Sequence, residues 1–199
     1  MSRQRHDAER LRAALLDVDL TRPWRIPPSR FADRPLGCVP APSRFSDPAL
    51  EYAVLYVGSS VRCALWEALL RDRFLEPNRS ELPVELIKSR SLATIVTREP
   101  LRLLDLRGDG TTRVRVPTAV TRDRRHAAGR ALSSSLYTAV PEADGIVYDS
   151  RFLGEACAAV FDRALQKLEA FAVTPLVSSA EVRDALAEDD ITLIDQRPR

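Results

Sequence analysis

The chain is almost devoid of lysine: of its 30 basic residues only Lys88 and Lys167 are not arginine. Together with abundant alanine and proline, this is the mark of GC-rich bacterial coding rather than of a function. Cysteine is scarce as well. Cys38, Cys63 and Cys157 are odd in number and widely spaced, with no CxxC pair. That argues against a disulfide framework and a zinc site, and favours a reduced, cytoplasmic setting. With only His6 and His126, a histidine-based triad or metal centre has few candidates. No apolar run approaches the ~18 residues of a membrane span. The charged N-terminus lacks the apolar segment of a signal peptide. GxGxxG, Walker, HExxH and GxSxG motifs are all missing, which removes the usual dinucleotide, P-loop, metalloprotease and hydrolase signatures. A net charge of +2, from 30 basic and 28 acidic residues, gives no reason to expect direct nucleic-acid or membrane binding.

What is present suits a globular enzyme. The 199 residues are 45% hydrophobic, enough for one domain with a real core. Residues 7–19 read as a helix, and Trp24-Arg25-Ile26 as a short strand stopped by Pro27-Pro28. Residues 27–50 hold six of the fourteen prolines, so they form an ordered, irregular loop. Tyr52 to Val57 is a strand ended by Gly58. A helix capped by Ser59 or Ser60 then runs to about Phe74 on the stripe Val61, Ala64, Leu65, Ala68, Leu69. Strands follow near 84–88, 91–97 and 101–106, a turn-rich stretch over 108–122, a helix over 123–139, and strands at 145–148 and 156–161. The end reads as helices at 162–170 and 179–187 and an edge strand at 191–194. This mixed order predicts an α+β fold with curved mixed or antiparallel sheets and flanking helices. Residues 1–20 form an N-terminal helical segment, 21–170 the main domain, and 171–199 an appendage packed on it.

Glu67 is the most informative single residue. It is the only charge between Arg62 and Arg71 and lies roughly 130° from the centre of the apolar stripe. Such a carboxylate is either an exposed or Arg71-paired group, worth about 0.3–0.5 kcal/mol, or a group held at the edge of a pocket. Arg25 either snorkels over its sheet or presents a forked donor to phosphate or ribose. Tyr56 faces away from Leu55 and Val57, where core packing is the ordinary role. The mixed-charge stretch Arg122 to His126 reads as a solvated face, with nucleic-acid contact as its alternative.

Taken in order, these positions resemble the RES domain family, toxins of RES–Xre toxin–antitoxin pairs, from about Trp24 to Asp162. The resemblance rests on Trp24-Arg25-Ile26, Ser43-Arg44-Phe45-Ser46-Asp47-Pro48, Val54-Leu55-Tyr56-Val57-Gly58 with Ala64-Leu65-Trp66-Glu67, and Gly145-Ile146-Val147-Tyr148-Asp149-Ser150 with Ala159-Val160-Phe161-Asp162. The Arg, Glu and Ser of the family name fall on Arg25, Glu67 and Ser150. Ser43 departs from the glycine common before the Arg-Phe pair, which puts the backbone there in question. The resemblance implies an ADP-ribosyltransferase-like fold and an activity that cleaves the nicotinamide–ribose bond of NAD+ by hydrolysis or phosphorolysis. NAD+ is then a substrate, and neither cofactor nor metal is required. Glu67 and Arg25 would be catalytic, and Arg25, Arg44, Tyr56 and Ser150 would bind NAD+. A protein ADP-ribosyltransferase using the same site is the first alternative, and a non-catalytic binding module the second. The implied partner is an Xre-like antitoxin occluding the active site, with DNA reached only through it. A homodimer within a hetero-oligomer is compatible with this.

Overall fold

The computed structural model describes residues 2–71 and 80–195. The chain opens with α1 (Ser2–Ala13), β1 (Leu15–Val18) and β2 (Trp24–Arg25). After a long loop come β3 (Val54–Gly58), α2 (Val61–Leu65) and a π-helical turn, Trp66–Leu70, that continues α2. Next are β4 (Glu81–Pro83), α3 (Val84–Lys88), β5 (Ser91–Thr97) and β6 (Leu101–Asp105). Three helices, α4 (Gly110–Arg113), α5 (Ala119–Arg122) and α6 (Ala127–Ala139), lead to β7 (Gly145–Asp149) and β8 (Ala156–Phe161). The chain ends in β9 (Leu168–Pro175), α7 (Ala180–Glu188) and β10 (Thr192–Ile194).

Eight strands form one curved sheet in the order β1-β6-β7-β8-β3-β2-β5-β9. Its neighbours are antiparallel except β6 and β7, which run parallel. Parallel neighbours need a long crossover, and α4 to α6 provide it. β4 and β10 pair in a separate two-stranded ribbon. The result is the α+β architecture expected, with an ADP-ribosyltransferase-like curved sheet flanked by helices.

Strand alternation divides the core. Leu55, Val57, Val147, Ala158 and Val160 face one side, with Ile95, Leu101 and Leu103. Ile146, Tyr148, Cys157, Ala159 and Phe161 face the other, against Phe45, Tyr52, Leu132 and Leu136. Central strand β8 is therefore covered on both faces, which is why Ala-Cys-Ala-Ala-Val-Phe is continuously apolar. A third cluster packs α2 and the π turn against α3 and α7 through Leu65, Leu69, Leu70, Ile87, Val182 and Leu186.

Several local expectations are corrected. Helix α1 stops at Ala13, because Leu15–Val18 pairs with β6 as an edge strand. Val84–Lys88 is helical rather than extended: Pro83 presets φ at its N-cap, and Glu85 pairs with Lys88 one turn on at 2.7 Å. Residues 162–170 are not one helix. A 3-10 segment, Asp162–Lys167, gives way to β9, whose backbone is claimed by β5 from Leu168 to Pro175. The helix expected from 123 starts at Ala127, since Ala119–Arg122 forms its own turn. The expected helix end at Phe74 lies outside the described residues.

Candidate active site

The site is built where α2 meets the sheet. Gly58 ends β3, and a Cβ there would lie 2.8 Å from the Ala64 backbone nitrogen. Only glycine allows this close approach of helix to strand. Ser60 caps α2 by accepting from the Cys63 N–H at 2.9 Å. The helix then widens into the π turn that carries Glu67. Such a turn rotates the side chains that follow it, and π-bulges are frequent at functional sites. The turn ends on Arg71, at φ +38°, a conformation that costs a non-glycine residue strain energy.

This segment is anchored from behind. Trp66 donates its indole N–H to Asp189 at 2.7 Å, and Arg62 donates Nε to the same carboxylate at 3.0 Å. Asp189 sits just past α7 with its side chain only 8% exposed, so both bonds are sheltered. Asp189→Ala is expected to destabilise the protein by about 1–3 kcal/mol, because it strands the Trp66 donor and one face of Arg62. A chemical denaturation midpoint equal to wild type would refute this.

Beside the π turn lies a cavity of about 310 Å³. Its described lining includes Arg25, Arg44, Arg71, Arg124 and Arg151 with His126, and Glu67 is the only carboxylate among them. Aromatic surface comes from Trp24, Tyr56, Tyr148 and Phe152. The sheet register explains the two tyrosines: Tyr56 pairs with Ala159, and Tyr148 with Cys157, so both project from one face.

Of the residues expected in a site, Arg25, Arg44, Tyr56 and Glu67 converge on this cavity. Ser150 does not line it. Its hydroxyl instead donates to Glu67 Oε1 at 2.8 Å, holding one oxygen of a carboxylate residue that lines the cavity. Ser150 also borders a second cavity of about 260 Å³, lined by Thr111, Thr121, Arg122 and Arg151. The Arg71 alternative for Glu67 is not what is found: Arg71 Nε donates to the Glu67 backbone carbonyl, not to its carboxylate.

Arg25 donates Nη2 to the Gly37 carbonyl at 2.9 Å, while its buried Nε has no hydrogen-bond partner among the described residues. Burial lowers its pKa from the usual guanidinium value, the expected effect of removing a cation from water. Arg44 is also pushed down by burial and donates to the Asp123 carbonyl at 2.8 Å. Its neighbour Phe45 is fully buried and anchors the loop. Gly129 on α6 allows that loop to sit close, since a Cβ there would lie 2.5 Å from the Arg44 carbonyl oxygen.

Ser43 enters the site through its own side chain, its Oγ lying 2.9 Å from the Tyr56 hydroxyl. It has no positive φ, so the glycine replaced here is not needed for backbone freedom. The Tyr56 oxygen also accepts the Phe45 N–H at 2.9 Å, tying strand β3 to the Arg44 loop. Burial raises this phenol's pKa and keeps it neutral.

Sequence reasoning missed the rest of the rim. The stretch read as a solvated face puts Arg124 and His126 on the cavity wall, and the turn after Ser150 adds Arg151 and Phe152. His126 is shifted below the ordinary imidazole range by burial first, then by Arg44, Arg130, Arg71 and Arg151. The concentration of arginine in Arg122–Arg125 was the available signal. Cys63 and Cys157, far apart in sequence, lie with sulfurs 3.1 Å apart under the cavity floor. Both are free thiols.

Comparison with known proteins places this geometry. Over 105 residues the chain is 43% identical to a protein of Sinorhizobium fredii described as "Probable toxin y4kH", covering 52% of this chain and 80% of that one. The fold matches a chain in the crystal structure of the Mycobacterium tuberculosis MbcT–MbcA toxin–antitoxin complex. That match has a TM-score of 0.70 and 14% identity, and covers 91% of this chain and 97% of the other. At such identity it speaks to fold alone. The RES domain model matches residues 22–182, a span that contains Arg25, Glu67, Ser150 and the whole described cavity lining. The chain belongs to the RES domain family.

Proposed function

We propose that the chain cleaves the nicotinamide–ribose bond of NAD+, with water or phosphate as acceptor. One observation carries the reading. The described cavity wall presents five guanidinium groups and an imidazole around a single carboxylate held by a serine. A cationic rim suits the pyrophosphate of a dinucleotide, and aromatic walls suit its rings. The lone carboxylate suits a reaction that develops positive charge.

Breaking this bond sends its electron pair to the pyridinium nitrogen, which leaves as neutral nicotinamide. No acid is needed for departure, and the ribose acquires oxocarbenium character at C1. Glu67 stabilises that charge through its carboxylate and accepts the proton of an attacking water. Ser150 fixes the carboxylate, acting as a positioning residue. Arg25 and Arg44 offer their remaining guanidinium donors to pyrophosphate or ribose oxygens. Water yields ADP-ribose and a proton; phosphate yields ADP-ribose phosphate.

The similarity to toxin chains supports a toxin role, with an Xre-like antitoxin covering the cavity mouth. Exposed Phe31 and Val39 on the bordering loop offer apolar surface for such a partner. Incubation of the pure protein with NAD+, with and without phosphate and cell lysate, tests the chemistry. Free nicotinamide with ADP-ribose or its phosphate is expected. Radiolabelled protein bands without free ADP-ribose would instead establish protein ADP-ribosylation.

His126 gives this proposal a pH signature. Burial first, and then the cationic surroundings, hold its pKa in the free protein below the usual 6.5. A bound polyanion neutralises that field and raises it, so the complex binds more protons than the free enzyme. Affinity therefore strengthens as pH falls through this window, the sign required by linkage. Calorimetry in buffers of different ionisation heat should show proton uptake, lost in His126→Gln. Equal uptake in that variant would contradict the assignment.

A further inference from the structure

Tyr148 is buried in the site without a role so far. Of the four tyrosines, Tyr52 is hydrogen-bonded to Ser133 at 2.7 Å, Tyr56 to Ser43 and Phe45, and Tyr137 donates to Asp162 at 3.1 Å. Tyr148 is only 4% exposed, yet among the described residues its hydroxyl has no hydrogen-bond partner. It is not one of the sealed, unpaired polar atoms of the described residues, so it keeps access to the cavity that Tyr148 lines beside Glu67 and can meet a ligand there.

The ring cannot easily turn away. It meets Phe45 edge-on, with centroids 5.0 Å apart, and strand β7 is pinned on both sides by β6 and β8. The hydroxyl is thus held in advance of any ligand, on the face it shares with Tyr56 and Cys157.

We infer that Tyr148 is a substrate contact, donating a hydrogen bond to an oxygen of the nicotinamide-riboside half of the dinucleotide, the half that Glu67 faces. The inference rests on the NAD+ reading above and adds a specificity residue to it. Burial keeps the phenol protonated well above neutral pH, so it serves as a donor. A pocket with a fixed, unpaired donor rejects ligands that lack the matching acceptor.

The test is made in the Glu67→Gln background, so that NAD+ is not consumed. Adding Tyr148→Phe should weaken binding of both NAD+ and nicotinamide mononucleotide roughly 2- to 13-fold, the range of one neutral hydrogen bond. The melting temperature should stay the same or rise, because the lost hydroxyl has no partner among the described residues. A purely structural role would give the reverse pattern, a lower melting temperature with unchanged dissociation constants, and would overturn the inference. If wild type consumes NAD+ while Tyr148→Phe leaves both dissociation constants unchanged, only the Tyr148 assignment falls. If wild type neither binds nor consumes NAD+, the dinucleotide reading falls and this inference with it.

Discussion

Glu67→Gln is expected to lower kcat for NAD+ cleavage by about 10²–10⁴-fold, the contribution typical of a positioned acid–base group, while leaving the fold and NAD+ binding largely intact. The amide is nearly isosteric, and its oxygen still accepts from Ser150, as Glu67 Oε1 does at 2.8 Å. What disappears is the negative charge opposite the developing oxocarbenium ion and the capacity to take a proton from water. A fall in kcat without a matching rise in KM identifies a group acting in the transition state rather than in binding. A fall in KM-controlled affinity alone would make Glu67 a binding residue.

Arg25→Ala is the second large effect, and it acts through binding. The guanidinium is part-buried, lowered in pKa by burial, and its Nε has no partner among the described residues. Burying a cation this way is unfavourable unless an anion completes it. The free enzyme therefore holds a charge that gains most when a pyrophosphate arrives. Removing it should cost about 2–4 kcal/mol of binding, or roughly 30- to 1000-fold in kcat/KM, mostly as raised KM. Arg25→Lys should recover little, because a point charge cannot reproduce the fork. Stability gives an independent check: apo Arg25→Ala should melt no lower than wild type. A marked drop in melting temperature with unchanged KM would show that Arg25 merely supports the Gly37 loop.

Much of this site was legible in the sequence because its parts are local. A lone carboxylate in an apolar helix, an arginine between Trp24 and Ile26, and a tyrosine opposite in phase to Leu55 and Val57 are read from periodicity. Their convergence on one cavity is a property of topology, which periodicity does not contain. The π turn at Trp66–Leu70 leaves no trace in the apolar stripe, since one inserted residue shifts a helix face without changing its composition. Arg124, His126 and Arg151 escaped for a related reason. The α4–α6 crossover carries the first two across the sheet, where they meet the turn after Ser150.

The fold shows the same division. β3, β5 and β7 announce themselves through β-branched and aromatic residues, and β8 through its continuous apolar run. β1 and β9 carry weaker patterns, and they are strands because β6 and β5 offer open edges for pairing. Tertiary pairing there overrides local preference.

The central claim is that a cavity of arginines around Glu67 cleaves NAD+. Nicotinamide release from NAD+ by purified protein, followed over time for wild type and Glu67→Gln at equal folded concentration, tests it most directly. Steady release by wild type and at least a hundredfold slower release by the variant is the predicted result. Equal rates, or no release by a wild-type protein that binds NAD+, would contradict it.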